Sequence, residues 1–427
     1  MQVLDKGCYF MVKRAIIGTQ FGDEGKAKMI GYFVKTGDYD VIGRYGGGRN
    51  AGHSQIDDKG KEVINHLIPG GILHSGVYNV VLADVMVDPL GLIDEIREIE
   101  GKGHKVTPDN FGISNRAQMT LKYHKDFEED SERMKGKDAI GTTKRGIGPT
   151  AISKYGREPV MFEEFLDPET FKTLLSSFSR EHGNVVAKSV NVDEYVDMYG
   201  KAIEFLRPFM VEEAEFIRRN KDKNWLYEGA QGIMLDVLYG SHPYVTSSTP
   251  YNPPSDTDER VGIMKAYITR VGNGNLPTRM DEKDERLIRG ILKKTPGAEF
   301  GATTGRPRNC GWFDGVIARH STSIGRIDRI ALTKLDRLSG FPVIKLATAY
   351  KYKGSVIKSL PGNRFVFEKV TPLYKEVPGW MEDISHVREF KDMPSHAQDY
   401  VKGLQDFVEC KISHISVGPR AEQTIKM

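Results

Sequence analysis

A glycine-rich loop set directly behind an apolar strand constrains this chain more than any other feature. Ala15-Ile-Ile17 runs into Gly18-Thr-Gln-Phe-Gly-Asp-Glu-Gly-Lys-Ala-Lys28, a turn with three glycines, two acids and two lysines. Glycines let backbone N–H groups approach phosphate oxygens, and Lys26 and Lys28 bring positive charge. Two carboxylates in such a loop would repel a phosphate unless they hold a metal or move a proton, so Asp23 and Glu24 read as working groups. The loop departs from the P-loop pattern, because Gln20 stands at its first glycine and Ala27 replaces the Ser or Thr that would hold Mg²⁺. Taken alone, a glycine-rich turn is often only a turn.

A second cluster narrows the reading. Val41-Ile42 leads into Arg44-Tyr-Gly-Gly-Gly-Arg-Asn-Ala-Gly-His-Ser54. Asn50 can both donate and accept at a purine edge, and His53 can donate to an oxygen that gains negative charge. A lone histidine is more often structural. His53 sits among glycines and polar groups, not on an apolar face, and so reads as chemical.

Other short apolar runs read as buried strands: Val80–Leu82, Trp225–Tyr227, Ile330–Leu332, Val343–Leu346 and Ile412–Ser416. Helical patterns occupy Leu90–Gly101 and Val192–Asn220. The alternation predicts an α/β fold with a mainly parallel central sheet and helices on both faces. Ligands then belong at the carboxyl ends of the strands, where both glycine clusters fall. A formal charge of +3 is too near neutral to make nucleic acid or an anionic membrane the main partner. Three scattered cysteines (Cys8, Cys310, Cys410) argue against a disulfide framework or a zinc site. No apolar run reaches the length of a membrane span, and Met1–Lys13 lacks the shape of a signal peptide, so a cytoplasmic location is expected. Residues 1–12 are expected to be a tail, and 13–427 one large domain.

Further motifs follow in order: Ile140-Gly-Thr-Thr-Lys-Arg-Gly-Ile-Gly-Pro149, Glu228-Gly-Ala-Gln-Gly232 and Pro243-Tyr-Val-Thr-Ser-Ser248, then Lys265-Ala-Tyr-Ile-Thr-Arg-Val-Gly272. Glu299-Phe-Gly-Ala-Thr-Thr-Gly-Arg306, Leu332-Thr-Lys-Leu-Asp336 and Ile415-Ser-Val-Gly-Pro419 complete the series. With the two glycine clusters, they resemble the adenylosuccinate synthetase family over almost the whole chain. The resemblance implies a P-loop-like nucleotide-binding architecture with insertions, and a homodimer with composite active sites. It also implies that L-aspartate is joined to IMP, driven by GTP hydrolysis with Mg²⁺, to give adenylosuccinate, GDP and phosphate.

The chemistry sets the roles. The purine C6 oxygen is a poor leaving group and must be phosphorylated before an amine displaces it, which requires loss of the N1 proton. By resemblance, Asp23 is the base, His53 meets the charge on O6, Lys26 faces the transferring phosphoryl group, and Gln231 is a catalytic group near the nucleotide's base and phosphate. Mg²⁺ would be held by the Asp23 carboxylate and the Gly52 carbonyl. Gly22, Glu24, Gly25, Lys28 and Ser54 match the triphosphate site, while Lys334, Asp336, Ser416 and Gly418 match the guanine pocket. Asn50, Thr143, Thr246 and, from the other subunit, Arg157 match contacts to the acceptor nucleotide. Thr303, Thr304, Arg306 and Arg308 match the loop that holds the carboxylates of aspartate.

Three departures from the family pattern stand near these motifs. Arg49 precedes Asn50 and Asn309 follows Arg308, where the family has Asn and Arg. Thr249-Pro-Tyr-Asn-Pro-Pro-Ser-Asp-Thr-Asp-Glu-Arg260 replaces a glycine-rich stretch. Proline removes donors and fixes φ, so this wall of the nucleotide pocket is expected to be rebuilt. That keeps open an alternative, a divergent branch acting on dGMP with ATP or GTP to make 2-aminoadenylosuccinate. An idle nucleotide-binding protein fits poorly with retained Asp23, Lys26, His53, Gln231 and Asp336. A plain GTPase or kinase has no use for the arginines at 306 and 308.

Overall fold

The computed structural model describes residues 11–182, 190–289, 299–300 and 307–427. Its centre is a ten-stranded sheet. In chain order the strands are β1 (Lys13–Gly18), β2 (Val41–Arg44), β3 (Tyr78–Val81), β4 (Phe111–Ser114), β5 (Met210–Val211), β6 (Trp225–Glu228), β7 (Glu259–Lys265), β8 (Arg329–Thr333), β9 (Ile412–Ser416) and β10 (Thr424–Lys426). Their order across the sheet is β5-β4-β3-β2-β6-β1-β7-β8-β9-β10. Every pair is parallel except β9 with β10, which closes one edge antiparallel. β1 lies between β6 and β7, so the loop that follows it opens at mid-sheet.

The two-residue alternation of β1 explains its unbroken apolar sequence. Ile16 packs with Met29, Ile30 and Phe33 of helix α1 (Lys26–Thr36) on one face. Ala15 and Ile17 pack on the other with Trp225, Tyr227, Phe216 and Ile324. A strand covered on both faces has no need of polar residues.

Two excursions leave this sheet. Helix α2 (Pro89–Gly101), capped by the Asp88 side chain at the Gly91 N–H, leads towards a helical layer containing α3 (Lys122–Lys135) and α4 (Ile147–Gly156). Between β8 and β9, strands Phe341–Tyr352 and Thr371–Trp380 form an antiparallel ribbon.

Two expectations need correction. Val192–Asn220 is not one helix: it ends at Leu206, turns at Arg207–Phe209, contributes β5, and resumes at Glu213–Arg219. Pro208 lacks an N–H and its ring would clash with the carbonyl one turn back. Val343–Leu346 is a strand, but in the ribbon and not the parallel sheet, with Val343 exposed. Of the expected tail, residues 1–10 lie outside the described residues; Val12 already donates to the Asn224 side chain at 2.8 Å. Among the described residues no helix is long and apolar enough to cross a membrane.

Candidate active site

The loop after β1 is held from within. Glu24 is completely buried, and its Oε1 accepts from the Gln20 and Gly22 N–H groups at 3.0 and 2.9 Å. Its Oε2 pairs with Lys26 Nζ at 2.6 Å, and that ammonium also donates to the Gln231 carbonyl at 2.5 Å. Glu24 was expected to face the nucleotide; its carboxylate instead shapes the loop and does not line the cavity. Packing here leaves no room for a side chain at Gly18, since a Cβ would drive into the Gln231 carbonyl, Glu24 and Lys26 Nζ. Gly18→Ala should therefore destabilise the protein by about 1–3 kcal/mol, read as a lowered midpoint in thermal denaturation. An unchanged midpoint would show that the loop can shift freely.

Asp23 takes a left-handed conformation, φ 59°, between Gly22 at 82° and Gly25 at 90°. The Asp23 carboxylate accepts from Arg308 Nε at 2.9 Å. Arg308 Nη1 bonds Glu299 at 2.5 Å, and Glu299 also holds Lys334 Nζ at 2.6 Å and lies 3.8 Å from Lys265 Nζ. Burial pushes the Asp23 carboxyl up, but Arg308, Lys265 and Lys334 together outweigh it and hold it below its ordinary value. Asp23 is an ionised carboxylate.

His53, on the strand His53–Ile56, lies almost fully buried with Nδ1 against Glu228 at the end of β6. Gln231 donates from Nε2 to Asn50 Oδ1 at 3.1 Å, and Asn50 donates to Thr246 Oγ1 at 3.3 Å. Among the described residues, Gln231 Oε1 and His53 Nε2 are buried without a partner. Lys28 is buried and donates to Ser416 Oγ, to the Gly418 carbonyl at 2.7 Å and to the Gln423 carbonyl at 3.0 Å, tying α1 to the segment after β9. On α3, Glu132 accepts from the Gly141 and Thr142 N–H groups at 2.7 and 3.1 Å, and Glu128 from Gly146 at 2.7 Å. They fix the loop that carries Thr143.

One cavity of about 690 Å³ joins these groups. Gly22, Asp23, Gly25, Lys26, Lys28, Asn50, Gly52, His53 and Ser54 line it from the two glycine clusters. Thr143, Gln231, Thr246, Arg308, Lys334, Asp336, Ser416 and Gly418 line it from later motifs. Arg157 does not: it is exposed at the end of α4, in a left-handed conformation. Thr303, Thr304 and Arg306 lie outside the described residues. No group of three or more His, Cys, Asp or Glu side chains able to hold a metal occurs among the described residues. A Mg²⁺ ion that keeps waters and phosphate oxygens needs only one or two carboxylates, and Asp23 with the Gly52 carbonyl suits that arrangement.

The departures from the family pattern stand off this wall. Arg49 pairs with Asp88 at 3.6 Å and lies over Gly91. Asn309 pairs with Arg270 in a short ladder. None of residues 249–260 lines the cavity; Asp256 pairs with Lys13 at 2.6 Å, at the amino end of β1. The proline-rich segment is thus outside this cavity's wall, and Thr249 and Pro250 border a small pocket with Gly47 and Gln231.

The family model for adenylosuccinate synthetase matches residues 15–425. The chain belongs to the adenylosuccinate synthetase family. The synthetase of Geotalea uraniireducens is 39% identical, with 98% of this chain and 99% of that protein covered. The synthetase of Pelodictyon phaeoclathratiforme is 40% identical over 96% of each chain. A fully ligated adenylosuccinate synthetase from Plasmodium falciparum superposes with a TM-score of 0.89 at 31% identity, covering 97% and 99% of the two chains. The cyanophage S-2L succinoaminodeoxyadenylate synthetase, bound to dGMP and dATP, shares the fold at a TM-score of 0.59 and 18% identity. Family membership makes this chain a carbon–nitrogen ligase of purine nucleotide synthesis.

Sequence reasoning passed over four buried charges of this ligase site: Arg44, Glu228, Lys265 and Glu299. A carboxylate closing the apolar strand Trp225-Leu-Tyr-Glu228 was the available signal, because a charge that deep must be partnered.

Proposed function

We infer that this protein joins L-aspartate to the 6-position of IMP, using GTP, to form adenylosuccinate, GDP and phosphate. The observation that carries this reading is the single cavity, on which a phosphate loop, a purine-edge group, a base, a carboxylate-binding arginine and the Lys334/Asp336 motif all meet. Asp23 takes the N1 proton of the purine and leaves negative charge on O6, which His53 faces. Lys26, fixed by Glu24 and the Gln231 carbonyl, adds positive charge beside the transferring phosphoryl group. Mg²⁺, when bound at Asp23 and Gly52, neutralises phosphate oxygens. Arg308 holds a carboxylate of aspartate, together with the loop at 303–306. Asp336 accepts from the N1–H and 2-amino group of guanine, donors that adenine lacks. Arg157 is supplied by a second copy in a homodimer; the exposed Ile152 and Tyr155 on its helix give that pairing an apolar surface.

The three departures lie away from the cavity wall, which supports IMP over dGMP. Phosphate release should depend on IMP, GTP, Mg²⁺ and L-aspartate together. Crossing IMP and dGMP against GTP and ATP in that assay tests the choice. Faster release with dGMP would overturn it, and release without aspartate would end the ligase reading.

A further inference from the structure

Glu228 ends β6 with no exposed surface, and an unpaired charge there would cost several kcal/mol. Three groups surround its carboxylate. Oε2 accepts from the Gly70 N–H at 2.7 Å, Oε1 contacts His53 Nδ1, and the buried Arg44 guanidinium stands 3.9 Å away. Burial pushes this carboxyl up, but His53, Arg44 and Gly70 together hold it below its ordinary value. An ionised carboxylate only accepts, so the ring proton that meets it belongs to Nδ1. Nε2 is then the free end of the ring. It is buried, has no hydrogen-bond partner among the described residues, and belongs to a residue on the cavity wall beside Lys26 and Gln231.

We propose that Glu228 is a positioning residue for the ligase reaction: it fixes His53 with Nδ1–H turned to the strand and Nε2 turned to the cavity, where Nε2, once it has taken a proton from solvent, donates to the 6-oxygen of the purine nucleotide. The Gly70 N–H and Arg44 fix Glu228 in turn. A carboxylate that sets the tautomer and direction of an active imidazole is a recurring arrangement, and losing it usually costs turnover more than binding. This role rests on the proposed action of His53 at O6.

The test uses the full chain with Glu228→Gln, His53→Ala and the double variant. Glutamine keeps the volume but turns one acceptor into a donor, so either His53 Nδ1–H or the Gly70 N–H loses its partner. Turnover of Glu228→Gln should fall by on the order of 100-fold, with KM for IMP and GTP moving less than about threefold. The double variant should be no slower than His53→Ala, because the two residues act as one unit. Turnover within about threefold of the parent, or losses that multiply in the double variant, would overturn the proposal. The ¹⁵N resonances of His53 in the unaltered protein supply a readout that needs no variant. A protonated Nδ1 and bare Nε2 in the ligand-free protein are expected, and the reverse tautomer would overturn the proposal even if Glu228→Gln fails to fold. A parent protein without IMP-dependent phosphate release would instead sink the functional reading, leaving the ring geometry to be judged by its resonances.

Discussion

Asp23→Asn should lower kcat by roughly 10³-fold or more while GTP and IMP affinities change less than about fivefold. Asparagine keeps the size of the side chain and tolerates the left-handed backbone at 59°, so the loop keeps its shape. What disappears is a carboxylate able to take the N1 proton. Steady-state kinetics paired with equilibrium binding measurements separate the two effects. Near-normal turnover would remove Asp23 from the role of base. Alanine would be a poorer test, since it adds backbone strain to the loss of chemistry.

Arg308→Lys should raise KM for L-aspartate by on the order of 100-fold, with affinity for IMP nearly unchanged. The guanidinium bridges Asp23 through Nε and Glu299 through Nη1, and a lysine ammonium lacks that planar fork. It would therefore lose directional contact with a substrate carboxylate even though its charge survives. An unchanged KM for aspartate would exclude Arg308 from the amino-acid site. The same bridge bears on Asp23, whose carboxyl is held below its ordinary value, first against the opposing push of burial, by Arg308, Lys265 and Lys334. A weak base is a poor proton acceptor. If Arg308 turns to a carboxylate of the incoming amino acid, Asp23 loses that stabilising partner and gains proton affinity.

The sequence made the centre of the fold readable because its signals are local. An apolar run of strand length, a glycine turn and Asp88-Pro89 before a helix each act over a few residues, and β1, its loop and α2 appear where expected. Pro208 carried a readable break that the amphipathic pattern of 192–220 concealed. Val343–Leu346 looked like sheet core because apolar content does not reveal which sheet a strand joins. At the site, residue types gave away the groups facing the cavity but not the pairings behind them. Glu24 and Lys26 lie two positions apart and were read as separate agents; folded, they neutralise each other. Glu228 and His53 are 175 positions apart, and no spacing rule connects them. The proline-rich stretch was expected to form a wall of the nucleotide pocket, yet it lies outside that cavity, with Thr249 and Pro250 in a small pocket beside Gln231 and Asp256 at the amino end of β1.

The undivided cavity has a consequence for inhibitor chemistry. Among the described residues, the phosphate loop, the Asn50–Gln231–Thr246 group and the Lys334/Asp336 end share one chamber. Two weak purine-like fragments joined by a tether that spans it would each hold the other at a high local concentration, so their combined residence would exceed that of either fragment alone.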